Sequence, residues 1–230
     1  MNDHIVRSFD EELGQITAEV ARMGGLAEAQ IGEALDCVLR RDVQLAEQVT
    51  ARDAQLDAME AEIERKAIRL IALRQPMAND LRHAVAAMKI ASNLERCGDL
   101  AKNIAKRSLV LAGSEAATPL SRSIDRLGRL VAARVKDVLD AYTASDTERA
   151  IAVWKRDDEI DSHYDSLFRE LLTYMMGDPK MITPGAHLLF IAKNLERIGD
   201  HATNIAEIIH YELTGEEIGA ERPKMDTIGP

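Results

Sequence analysis

Two stretches of this 230-residue chain carry the side chains best suited to chemistry. Asn93 to Ala105 reads NLERCGDLAKNIA, and Asn194 to Ala206 reads NLERIGDHATNIA; ten of the thirteen positions are identical, at an offset of 101. Each copy sets two carboxylates four residues apart, Glu95 with Asp99 and Glu196 with Asp200, and an asparagine follows four residues later, Asn103 and Asn204. On a helix such positions form one stripe, so each copy presents a ladder of oxygen ligands. A second acid pair precedes each ladder: Asp53 and Asp57 within R-D-x-x-x-D, then Asp157 and Asp161 in the same pattern. At about 100° per residue, all these acids lie beside an apolar seam and not opposite it. If the seams pack together, four carboxylates and an amide converge along one groove in each half. Like charges held together need a cation, and oxygen ligands suit Mg, Ca, Mn or Fe. The competing reading is a solvated helix face, with Arg96 and Arg197 as ordinary salt partners of the acids.

The elements that must position these acids are helices. Phe9, Leu13, Ile16, Val20, Met23, Ala27, Ile31, Leu35 and Val38 share one face of a first helix from Ile5 to about Arg40. Gly24-Gly25 interrupts it, which predicts a kink or a close helix contact. A second helix spans about Val43 to Arg74, with the seam Val49, Leu56, Ile63, Leu70 at every seventh residue; Gln75-Pro76 ends it. A third, from about Asn79 to Leu111, carries the first ladder beside the small-residue seam Ala87, Ala91, Leu94, Gly98, Ala101. Gly98 and Gly199 would admit a neighbouring helix closely.

After a short linker, Thr118-Pro119 predicts the N-cap of a fourth helix reaching about Tyr142. Ser145-x-x-Glu148 predicts a capping box opening a fifth, with the seam Val153, Ile160, Leu167, Tyr174 and a break at Asp178-Pro179. Thr183-Pro184 predicts the start of a sixth, which carries the second ladder and ends near Tyr211 to Leu213. The seams and the R-D-x-x-x-D segments repeat at an offset of 104, so each half is helix–helix–helix. The expected fold is all-α: two tandem three-helix bundles related by pseudo-two-fold symmetry. The expected boundaries are residues 1–112 for the first repeat and 119–213 for the second, with a mobile tail at 214–230.

Composition narrows the function. Aromatics are 3% and the formal net charge is −10, which favours helices and disfavours a nucleic-acid binder. No apolar run reaches the roughly 20 residues of a membrane span, and the N-terminus lacks a signal-peptide core, so a cytoplasmic protein without direct membrane insertion is expected. Cys37 and Cys97, the two cysteines, read as buried reduced thiols, and Trp154 as core packing. His201 breaks the repeat, because Leu100 is its counterpart; His83, His163 and His187 read as polar or half-buried, and Glu207-x-x-His210 as chance. Wide apolar helix faces predict a homodimer. The chain has no nucleotide loop, H-E-x-x-H or nucleophile elbow, so a non-enzymatic protein is expected. A metal-dependent enzyme and a metal-free helical adaptor stay open beside it.

The doubled N-L-E-R-x-G-D-x-A-x-N-I-A, the R-D-x-x-x-D segments, Met23-Gly24-Gly25, Arg74-Gln75-Pro76 and the stretch from Leu171 to Met176 together resemble the PhoU family of phosphate-signalling regulators. The resemblance covers nearly the whole chain except the tail. It implies two three-helix bundles whose acidic motifs bind metal ions, in some members as iron or zinc clusters. Matched position by position, the implied metal residues are Asp53, Asp57, Glu95 and Asp99, then Asp157, Asp161, Glu196 and Asp200. The metal identity (Fe, Zn, Mn or Mg) is left open. The resemblance also implies a dimer that represses the phosphate-starvation response, linking a phosphate ABC importer and its ATPase to a sensor histidine kinase.

Overall fold

The computed structural model describes residues 2–113 and 120–219, with side chains from residue 9 onward. The described residues form helices and no strands. Helix α1 is Asn2–Arg40, α2 Val43–Arg74, α3 Asn79–Leu111, α4 Ser121–Ala144, α5 Thr147–Trp154, α6 Asp157–Gly177 and α7 Ile182–Thr214, with a short 3-10 turn at Pro179–Met181 before α7. Helices α1, α2 and α3 make one bundle; α4, the α5–α6 pair and α7 make the other. The bundles meet where α1 packs on α4 and α3 packs along α7. The expected all-α architecture of two tandem bundles is what the chain adopts.

The repeat is written into the packing. Gly24 of α1 receives Leu139 of α4, and Gly128 of α4 receives Leu35 of α1, where an added Cβ would lie 2.6 Å from Leu35 Cδ1. Both members of this exchange are related by the 104-residue offset. Within the bundles, Leu56 packs on Gly98 and Ile160 on Gly199; a Cβ at Gly199 would lie 2.7 Å from Ile160 Cδ1. The turns match too. Arg41 and Ser145 both take positive φ, at 56° and 50°. Each precedes an aspartate N-cap: Asp42 Oδ1 accepts from Leu45 N at 2.9 Å and Asp146 Oδ1 from Arg149 N at 3.0 Å.

Several expectations need correction. Helix α1 runs unbroken through Gly24-Gly25. Gly24 provides the close contact, while a Cβ at Gly25 would meet nothing within 4 Å. Ser145 closes α4 in the left-handed conformation and does not cap the next helix; Asp146 does. Helix α7 begins at Ile182, ahead of Thr183-Pro184. The proposed cap at Thr118-Pro119 lies outside the described residues, as do 220–230 of the proposed mobile tail. Just after α7, Gly215 has φ 76°, the Glu216 carbonyl lies 3.0 Å from His210 Nδ1, and Ile218 packs against the core. The second seam holds at Val153, Ile160 and Leu167, but Tyr174 is exposed and Leu171 is buried in its place.

The largest departure is the break between α5 and α6, where α2 passes straight through. Two differences account for it. Position 134 is a buried arginine whose Nη1 donates to the Val153 carbonyl at 3.0 Å; its counterpart Gln30 reaches the Val49 carbonyl only at 3.5 Å. A charged donor competes for that carbonyl far better than an amide. In addition, Asp157, Asp158 and Glu159 place three acids in one turn, where the first half has Asp53, Ala54 and Gln55. Acids favour a helix N-terminus, so a new helix starts there.

Candidate metal centre

Each acid set stands on two packed helices, α2 with α3 and α6 with α7. Asp53 and Asp157 are the deepest members, 6% and 5% exposed, because each adjoins the apolar seam. Asp57 is exposed and Asp161 half-buried. Glu95 and Glu196 are 12% exposed along their side chains. Each leaves its Oε2 buried without a hydrogen bond, at equivalent positions of the two halves. A buried carboxylate oxygen that lacks a donor is costly, and a cation is the partner that suits it.

The four-acid sets do share a field. Burial raises the Glu196 carboxyl above its ordinary 4.5; Lys193 opposes the rise, while Asp200 and Asp161 add to it. Burial likewise raises Asp161, followed by the charges of Asp157 and Asp200. Burial raises Glu95, against Arg96 and with Asp99 and Asp57. Sharing a field is not the same as forming a coordination sphere. Among the described residues, no three His, Cys, Asp or Glu side chains are gathered closely enough to hold a metal ion as they stand. Ligation requires the carboxylates to turn toward a common point. The donor set, all carboxylate oxygens with two of them orphaned, fits a hard or borderline cation.

The asparagine rungs do not join the acids. Asn103 is exposed. Asn204 turns to the α3–α7 interface, its Nδ2 3.4 Å from Asn93 Oδ1, where His201 Nδ1 also lies 2.9 Å away. His201, which has no counterpart in the first repeat, thus helps pin the two halves together. His83 does the same at the other end: its Nε2 is 2.8 Å from Thr17 Oγ1 of α1 and its Nδ1 is 2.6 Å from the buried Glu212 of α7. Trp154 is buried as expected, and its Nε1 donates to Glu207 at 3.0 Å.

Sequence reasoning missed Lys102. Its ammonium pairs with Asp53 of α2 and, at 2.5 Å, with Asp99 of α3. Burial favours the neutral amine, but hydrogen bonds and charge from both aspartates outweigh it, so its pKa is raised. The signal was present: among the three differences between the two motif copies is Lys102 against Thr203. Thr203 is buried and donates to Asp157 Oδ1 at 2.7 Å. No reactive thiol adjoins either set, since burial pushes Cys37 up to about 11 and Cys97 to about 12.

The PhoU domain family matches this chain twice, at residues 20–108 and 124–209, one match to each bundle. The chain belongs to the PhoU family. It is 63% identical over 228 residues to the phosphate-specific transport system accessory protein PhoU homolog of Caulobacter vibrioides, covering 99% of both chains. It is 51% identical to the protein of the same description from Rhizobium meliloti, over 97% of this chain and 94% of that one. The crystal structure of PhoU from Pseudomonas aeruginosa superposes with a TM-score of 0.88 at 36% identity, over 90% of this chain and all of that one. The phosphate transport system regulatory protein PhoU from Streptococcus pneumoniae superposes at 0.85 and 31% identity, over 92% of this chain. Among the described residues of this chain no helix is long and apolar enough to cross a membrane.

The raised carboxyls give a pH prediction. Glu196 and Asp161 hold a proton more tightly folded than unfolded. Their charges therefore weaken the metal-free fold at neutral pH, and that penalty fades as pH falls through their raised folded values. In chelator, Glu196→Gln with Asp161→Asn should melt above wild type at about pH 7.5, and that advantage should shrink as pH falls and be gone below about pH 4. Calorimetry across that range checks it; an advantage that stays constant on acidification would rule out the charge as its source.

Proposed function

We propose that this protein is a cytoplasmic, non-enzymatic regulator of phosphate supply, an accessory of a phosphate transport system that restrains the phosphate-starvation response. Its partners on this reading are the ATPase of a phosphate ABC importer and a sensor histidine kinase. The observation that supports it is relatedness along the whole chain, 63% identity across 99% of both proteins, to a transport-system accessory protein. The two acid sets, Asp53, Asp57, Glu95, Asp99 and Asp157, Asp161, Glu196, Asp200, are on this reading the places where cations bear on the fold. Deleting the gene should raise phosphate uptake and alkaline phosphatase in phosphate-rich medium several-fold. Unchanged expression of starvation genes in the deletion strain counts decisively against the role.

Exposed apolar residues at the bundle tips support an assembly. Leu73 and Met77 flank the α2–α3 turn, and Met176 and Ile182 flank the α6–α7 turn; all four are more than half exposed. Isolated exposed apolar residues are ordinary, but groups at equivalent places in both repeats suit contact with another chain. A homodimer follows from this reading, and sedimentation at micromolar concentration giving only the 25.4 kDa monomer would reject it.

A further inference from the structure

The interface between α3 and α7 closes differently at its two ends. At one end Phe190 of α7 lies beneath Arg107 of α3, whose Cζ stands 4.0 Å from the ring centroid, so a cation–π pair bridges the helices. At the other end the equivalent positions, by the offset of 101, are Lys89 and Ile208, with no ring between them. A groove of about 700 Å3 lies there. Leu81 and Val85 of α3, Ile208 and Tyr211 of α7, and Ile218 just after α7 give it an apolar lining. Leu81, Val85 and Tyr211 are each more than a third exposed, so the lining faces solvent. The charges are sorted by wall. Arg82 and Lys89, seven residues apart on α3, bring two cations; Glu207 of α7 and Glu217 beyond it bring two acids. Arg82 is held in place, because its guanidinium donates to the Glu212 carbonyl and to Asn79 Oδ1.

We propose that this groove docks one amphipathic helix of a regulatory partner, a helix with acids along one flank, bases along the other and an apolar stripe between. The word regulatory rests on the reading of the protein as one that acts by contact; the groove and its chemistry do not. Seven residues are two helical turns, about 10.5 Å, so Arg82 and Lys89 present a row of cations to the acidic flank of a helix lying alongside. The acids of the opposite wall answer the basic flank. The apolar lining between them takes anchors at i, i+3, i+4 and i+7. Charge of opposite sign on the two walls fixes which flank meets which. A small metabolite fits this arrangement poorly, since its few polar groups need partners that converge. A nucleic acid is disfavoured by the acids in the wall and by the net charge of −10.

The probe is a fluorescein-labelled helical peptide of about 15 residues, with leucines at i, i+3, i+4 and i+7, glutamates on one flank and lysines on the other. Anisotropy titration against the full chain should give saturable binding, weaker by about tenfold when both flanks carry glutamate. Lys89→Phe with Ile208→Arg builds the Phe190–Arg107 pair into the groove and should weaken binding by about tenfold or more. Should that variant not fold, Lys89→Glu decides, because it inverts one cation at an exposed position. No binding by wild type, or equal binding by wild type and Lys89→Glu, overturns the proposal. Two other occupants have their own signatures, and either overturns it. Tighter probe binding by Met225→Asp with Ile228→Asp assigns the groove to the chain's own residues 220–230. A wild-type dimer that Lys89→Phe with Ile208→Arg turns monomeric assigns it to a second copy. In cells, that double variant at wild-type abundance should raise alkaline phosphatase in phosphate-rich medium several-fold. Repression kept by the variant but lost on deletion overturns the proposal. If deletion itself changes nothing, the regulatory reading fails, and the peptide titration alone decides the groove.

Discussion

Isoleucine at Gly24 or at Gly128 should lower the stability of this protein by about 2–3 kcal/mol, the cost of forcing extra carbon into a closed contact. Each glycine faces a leucine of the opposite half: Gly24 faces Leu139, and Gly128 faces Leu35. The leucine cannot retreat, because Leu35 and Leu139 are each only 7% exposed and belong to the common core. An added side chain must therefore drive α1 and α4 apart, and with them the two bundles. For a chain of this size that is a fall in Tm of about 5–10 °C. The control is next door. Gly25→Ala meets nothing within 4 Å, so it should be neutral or gain about 0.5–1 kcal/mol from helix propensity. Urea unfolding of the three variants separates the explanations. If Gly24→Ile and Gly25→Ala behave alike, close approach is not why glycine stands at position 24.

Chelation should produce the other large effect. A metal that binds only the folded chain stabilises it by mass action, about 2.7 kcal/mol at a free concentration 100 times its dissociation constant. Removing it should lower Tm by about 5–10 °C. Glu196→Ala with Asp200→Ala should erase that response for the second half. It should also leave the metal-free protein no less stable than metal-free wild type, because burial and acid–acid repulsion already weigh against the Glu196 charge. Glu95→Ala with Asp99→Ala should remove the same response from the first half, and should leave the Lys102 ammonium with Asp53 alone. Solvated acids predict something else: no chelator response in any variant, and changes of about 0.5 kcal/mol or less. Melting curves with elemental analysis of each sample distinguish the outcomes.

The candidate site was legible in outline. Glu95, Asp99, Glu196 and Asp200 could be placed beside a packing face from spacing alone, because the angle between helical positions is a local property. Asp53 and Asp157 could be placed next to Val49 and Val153 in the same way, and they prove the most buried acids of their sets. Spacing cannot say where a side chain points once a second helix arrives. Asn204 shares a stripe with Asp200, yet it hydrogen-bonds Asn93 of α3. Lys102 lies one turn beyond Asp99 and would read as an ordinary surface pair, but α2 brings Asp53 to the same ammonium.

By itself the sequence determined the repeat, the family and most helix bounds, but ran α5 and α6 together. The bounds of α2 and α3 follow from seven-residue seams and from the glutamine and proline that end α2, all local signals. The tertiary structure alone decided how the halves meet and how they differ. Leu35 with Gly128 and Leu139 with Gly24 pair residues about a hundred positions apart, and no period within either helix announces a partner in another. The break before Asp157 depends on Arg134 reaching the Val153 carbonyl from a neighbouring helix. The ion pairing of the first acid groove depends on one ammonium held between two helices. Local periodicity fixes what each helix offers; only close packing fixes which offer is taken, because a buried charge or a missing Cβ acquires its energy from the neighbour it meets.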